Sequence, residues 1–138
     1  MPAGYSGTPL AKKLGYSEGG TLYAKGMPES VRAEIQQTMR PRYVAKPVKD
    51  LPAAHVFHTK STALAADLKT LRAKLAADGM VWVSWPKKVS AKKLGLETDI
   101  TEDTIRKIAL PMGFVDVKVC AVDETWSGLK LVIRKSAR

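Results

Sequence analysis

Between residues 62 and 77 the apolar side chains Leu64, Leu68, Leu71 and Leu75 recur at steps of four, three and four. That spacing lines one face of a helix. Asp67, Lys69, Arg72 and Lys74 fall mainly on the other faces, and the alanines between them favour helix. Ser61 or Thr62 is placed to cap the start, and Gly79 suits the left-handed position that ends such helices. The pattern then changes. Residues 80–85 read M-V-W-V-S-W, a short apolar run without alternation. Such a run predicts a strand covered on both faces, as in the middle of a parallel sheet. Pro86 has no amide hydrogen for a ladder, so the strand stops there, at Lys87 and Lys88.

The same reading extends over the chain. Thr8 and Pro9 predict a cap and first turn for a two-turn helix closed by Gly15, with Lys12 and Lys13 suiting the dipole of its last turn. Residues 21–25 form a short first strand, and residues 28–39 a helix with Val31, Ile35 and Met39 on one stripe. Pro47 limits residues 43–48 to an edge strand at most. Residues 53–58 are the next strand, and residues 89–99 a basic connector. Thr101 caps a helix with Glu102 and Asp103 in its first turn, Ile105, Ile108, Ala109 and Met112 inside, and Gly113 at its end. Residues 114–122 alternate, with Val115, Val117, Val119 and Ala121 on one side and Asp116, Lys118 and Cys120 on the other. Residues 129–134 alternate again after the loop D-E-T-W-S-G. The sequence A-K-K-L-G occurs at 11–15 and 91–95, too short a match to signal duplication. The order is β-α-β-α-β-α-β-β: an α/β fold, mostly parallel, with a C-terminal antiparallel hairpin. Residues 1–138 are expected to form a single domain, with residues 1–20 an arm carrying a short helix.

Composition changes the picture in two respects. The single cysteine, Cys120, excludes an internal disulfide framework and a cysteine-based zinc cluster. It suits a reducing compartment, and no apolar run reaches the ~20 residues of a membrane span, so a cytoplasmic protein with no membrane association is expected. The net charge of +10 points to an anionic partner, yet the lysines and arginines are scattered, as a solubilised surface also requires.

Two resemblances rest on these residues. G-Y-S-G-T-P-L-A-K-K-L-G, V-S-W-P-K-K and V-D-V-K-V-C-A-V-D-E-T-W-S-G-L-K-L-V-I-R resemble the hallmarks of a bacterial family known as a domain of unknown function. This likeness implies a small bacterial cytoplasmic protein and no particular activity. The order from residue 53 to 138 is similar in topology to the C-terminal half of class I methyltransferases, which implies a Rossmann-like, reduced methyltransferase-like domain. A cofactor site of that kind needs a glycine-rich turn after the first strand. Here the turn reads A-K-G-M-P-E-S, and no acid ending a second strand is identifiable to hold ribose. The cofactor site is therefore expected to be missing or rebuilt, and no cofactor is assigned.

In open α/β sheets ligands bind outside the carboxyl ends of the strands. That edge is expected to gather residues 26–29, 85–88 and 123–127, with residues 58–61 alongside. As a ligand site, Lys87 and Lys88 would hold an anion and Trp85 or Trp126 would stack, with Asp123, Glu124 and Ser127 completing the edge. The alternative is structural: the lysines pair with Asp123 or Glu124 and the tryptophans fill the core. Lys12, Lys13 and Lys60 are weaker anion candidates. His55 and His58, three apart on a strand, point to opposite faces and make a poor metal pair, and no metal site is assigned. No serine lies in a nucleophile-elbow context, and Cys120 reads as a small buried residue. The favoured expectation is a non-enzymatic module binding nucleic acid or a nucleotide. A small enzyme on an anionic substrate and a protein-interaction subunit are the alternatives. Oligomeric state is not legible.

Overall fold

A computed structural model describes residues 7–138. The opening residues of the G-Y-S-G motif and Ser6 lie outside that range. One six-stranded sheet, ordered β2-β1-β3-β4-β6-β5, organises the chain. Its strands are β1 (Thr21–Lys25), β2 (Arg42–Val44), β3 (Leu51–Phe57), β4 (Leu75–Pro86), β5 (Phe114–Ala121) and β6 (Trp126–Ile133). The first four are parallel, and β6 runs antiparallel between β4 and β5. The expected mostly parallel sheet with a terminal hairpin is what forms.

β4 is interior, and Val81, Trp82, Val83 and Ser84 are fully buried. Its period of two divides the apolar run between two cores. Val81, Val83 and Trp85 join Leu64, Leu68 and Leu71 of α3 (Ser61–Lys74) and Ile105 and Ala109 of α5 (Glu102–Ala109). On the other face Trp82 joins Leu10 and Leu14 of α1 (Leu10–Leu14) and Val31 and Ile35 of α2 (Glu29–Gln36). The second core holds a polar chain: Tyr16 Oη lies 2.7 Å from His55 Nδ1, and His55 Nε2 lies 2.8 Å from Ser84 Oγ. Each polar group of this chain thus has a partner, whereas the buried Tyr43 hydroxyl beside the same core has none among the described residues.

Several local expectations are corrected. α3 ends at Lys74 and runs straight into β4, and Gly79 is not left-handed. Gly79 lies instead where a Cβ would come 2.8 Å from the Leu51 carbonyl oxygen, at the register shift between β3 and β4. Neither Ser61 nor Thr62 caps α3; Asp99 does so from another loop, accepting from Ser61 N at 2.7 Å and Ser61 Oγ at 2.6 Å. Pro9, not Thr8, occupies the cap position of α1. The supposed connector contains a further helix, α4 (Lys88–Leu94). Gly128 belongs to β6, not to the loop before it. Val117 and Val119 are exposed, because β5 is an outer strand whose register slips between Asp116 and Lys118. Thr101 does cap α5, accepting from Thr104 N, and Gly113 ends the following turn at φ 98°.

Candidate functional site

The carboxyl ends of β1, β3 and β4 lie on one edge of the sheet. β4 leaves that edge beside the hairpin bend, as expected: Pro86 pairs with Trp126, and Lys87 N donates to Thr125 O at 2.8 Å. Lys87 Nζ donates to the Asp123 carbonyl at 2.8 Å. The Asp123 carboxylate accepts from the amides of Thr125 and Trp126, both at 2.8 Å, and so shapes the turn. The Glu124 carbonyl accepts from Ser90 Oγ at 2.9 Å. Ser127 is paired within the sheet. The contact between Lys87 and Asp123 runs through a carbonyl and not through an ion pair.

The two tryptophans do not share a pocket. Trp126 packs edge-on against Phe57, centroids 5.2 Å apart, on the α1–α2 face. Trp85 belongs to the α3–α5 face. A cleft of about 410 Å³ opens there, lined by Trp85, Pro86 and Ile100 below and by Lys88, Thr98, Thr101, Glu102, Asp103 and Arg106 around it. That volume suits a small organic ligand. Its wall is fixed by Arg106, whose guanidinium donates to Asp116 at 3.0 Å, Asp103 at 3.1 Å and Glu102 at 3.0 Å. The bond to Asp116, then that to Glu102, raises the Arg106 pKa. Lys88 is exposed. Of the expected pair of lysines, the cleft takes Lys88 and the hairpin takes Lys87.

The weaker anion candidates separate. Lys12 is exposed on α1, Lys13 Nζ donates to Ala121 O at 3.2 Å, and Lys60 stands 3.8 Å from Glu97. His55 and His58 do face opposite sides: His55 lies in the α1–α2 core, while His58 meets Asp67 of α3. Among the described residues no group of three or more metal-ligating side chains gathers, and no helix is long and apolar enough to cross a membrane.

Sequence reasoning placed residues 26–29 and 58–61 at this edge but missed the side chain that joins the strand ends at the chain reversal. The strand order turns back between β1 and β3, the switch point where such sheets bind ligands. Lys25 ends β1 and His58 follows β3. Asp67 Oδ1 accepts from Lys25 Nζ at 2.8 Å, and Asp67 Oδ2 lies 2.5 Å from His58 Nε2. The bond that Lys25 donates to Asp67 raises the Lys25 pKa. Asp67 was read only as a polar helix position, and no local signal links it to residues 25 and 58.

No protein-family model and no curated protein matches the chain, so neither the resemblance to a bacterial family nor a bacterial origin gains support. Solved structures do match. An S-adenosylmethionine-dependent methyltransferase from Aquifex aeolicus superposes with TM-score 0.59 at 13% identity, over 88% of this chain and 86% of its own. A Haloferax volcanii methyltransferase in complex with the Trm112 activator gives 0.56 at 10%, over 91% and 86%. LepI in complex with S-adenosylmethionine gives 0.57 at 10%, over 92% of this chain but 47% of LepI, so the chain spans about half of that protein.

The fold is therefore the methyltransferase-like Rossmann fold. These findings correct the expectation of a non-enzymatic binding module, because the scaffold is one that methyltransferases, which are enzymes, share. The macromolecular partner shown among these three is a protein activator, not a nucleic acid.

S-adenosylmethionine, on which the Aquifex protein depends, is a sulfonium cation with a ribose diol and an amino-acid end. The residues at the switch point between β1 and β3 do not fit it. The turn after β1 has one glycine, β2 ends at Val44 and leads into Ala45 and Lys46 with no acid for ribose, and Asp67 is already held by Lys25 and His58.

Proposed function

We propose that the protein is an enzyme of the methyl-transfer class that acts on a small organic molecule seated in the Trp85 cleft. The observation that carries this reading is the cleft's position. It opens at the carboxyl end of the central strand, in a sheet that superposes on methyltransferases over about nine-tenths of the chain. Trp85 offers a flat apolar wall, Lys88 an ammonium for an electron-rich oxygen, and Thr98 and Thr101 hydroxyls for orientation. The cleft alone names no acceptor beyond this chemistry.

The test is transfer of a labelled methyl group from S-adenosylmethionine to a panel of small aromatic and heteroaromatic acceptors. Lys88→Ala is compared with the wild type. The expected result is turnover of at least one acceptor, with kcat/KM lower by about tenfold in the variant, a loss of roughly 1.4 kcal/mol. The melting temperature stays unchanged because Lys88 is exposed. No transfer across the panel, or transfer indifferent to Lys88, defeats the proposal.

A further inference from the structure

We infer that Lys25, His58 and Asp67 form a clasp that stands in place of a ligand at the switch point between β1 and β3. In sheets of this order that crevice is where a cofactor bridges the ends of neighbouring strands. Here three elements are bridged by side chains. Asp67 of α3 gives one oxygen to Lys25 at the end of β1 and the other to His58 at the end of β3. The side chains of His58 and Asp67 are 9% and 16% exposed, so this half of the clasp is withdrawn from water. Lys25 is 47% exposed, and its bond is the weaker half, as surface ion pairs are.

The turn that follows β1 leaves no gap either. Gly26 is left-handed at φ 70°, and a Cβ on it would stand 3.0 Å from the Phe57 carbonyl oxygen. The turn therefore lies against β3. A glycine is needed here for that contact, with no ligand required to explain it. Electrostatics point the same way. The Asp67 carboxylate, the acid that joins these strand ends, is already paired on both oxygens, and Lys25 adds a positive charge unfavourable to a cationic ligand here. The clasp stands whether or not the methyl-transfer reading holds.

The test uses the full chain as wild type, Lys25→Met, Asp67→Asn and His58→Gln. Thermal melts and calorimetric titration with S-adenosylmethionine and S-adenosylhomocysteine are compared. Asp67→Asn is expected to lower the melting temperature by about 3–6 °C, and Lys25→Met by less. Saturable binding of either compound, which the methyl-transfer reading requires, is expected to be unchanged by all three substitutions because it occurs away from the clasp. No binding at all defeats that reading and leaves the melting temperatures to decide the clasp. Two outcomes overturn the inference. One is wild-type binding that Asp67→Asn or Lys25→Met weakens tenfold or more. The other is a melting temperature that Asp67→Asn leaves unmoved. Should Asp67→Asn fail to fold, Lys25→Met alone decides through binding. Methyl transfer at the Lys88-lined cleft is read by product, so failure of that reading is seen separately.

Discussion

His55 is the residue most at odds with the solvent its side chain normally prefers. It is fully buried, stacked on Phe57 with centroids 4.4 Å apart, and hydrogen bonded at both ring nitrogens. Burial disfavours its charged form and pulls its pKa from 6.5 down to about 3. The sign follows from linkage. Between those values the unfolded chain takes up a proton that the folded chain refuses, so stability falls as pH drops below about 6.5, by up to roughly 1.4 kcal/mol per pH unit. Asp99 acts in a different window. Hydrogen bonds from Ser61 hold its carboxyl below the usual value, so its contribution is lost only as pH falls through that lowered pKa, below 3.8. Urea midpoints from pH 7.5 to 5 should therefore fall more steeply for the wild type than for His55→Gln, which will be less stable at pH 7.5 but flatter. Parallel lines would show that the imidazole does not carry this dependence.

At the scale of elements, the repeated A-K-K-L-G has a structural meaning although it is no duplication. Both copies end a short helix on a left-handed glycine, Gly15 at φ 81° and Gly95 at φ 70°. Both make the same pair of closing bonds. Gly15 N donates to Lys12 O and Tyr16 N to Ala11 O, while Gly95 N donates to Lys92 O and Leu96 N to Ala91 O. This is the Schellman closure, with the lysines in the last turn favoured by the dipole. A Cβ at Gly95 meets nothing within 4 Å, so Gly95→Ala isolates backbone strain. It should lower stability by about 1 kcal/mol in a urea melt, a loss expected of alanine at positive φ. An unchanged midpoint would mean that α4 frays without cost. α4 escaped the sequence reading because its seven residues carry one buried side chain, Ala91, too few for a periodic signal.

The whole molecule is one sheet with a different core on each face, and single side chains join distant parts of the chain across it. Trp82 Nε1 donates to Leu14 O at 2.7 Å and pins α1 to the central strand. Trp82→Phe removes that donor and leaves space beneath α1. It should cost roughly 2–4 kcal/mol and speed hydrogen exchange in α1 more than in α5. Equal acceleration in both helices would place the loss in general packing. The leucine face of α3, the largely buried strand at residues 80–85, the capped α5 and the hairpin were all legible in the sequence. Each is a local periodicity or a preference of two or three adjacent residues, and the chain's own order of elements then limits the sheet. The Trp85 cleft was half legible, since Trp85 and Lys88 were singled out but Arg106 and the threonines were not. Local pattern could not show that Lys87 serves the hairpin while Lys88 faces the cleft, that Asp99 caps a helix 38 residues away, or that Asp67 joins two strand ends. Those pairings depend on the crossover paths and on the register between strands. A shift of one residue in register would exchange the faces, so only the assembled sheet decides which charges meet.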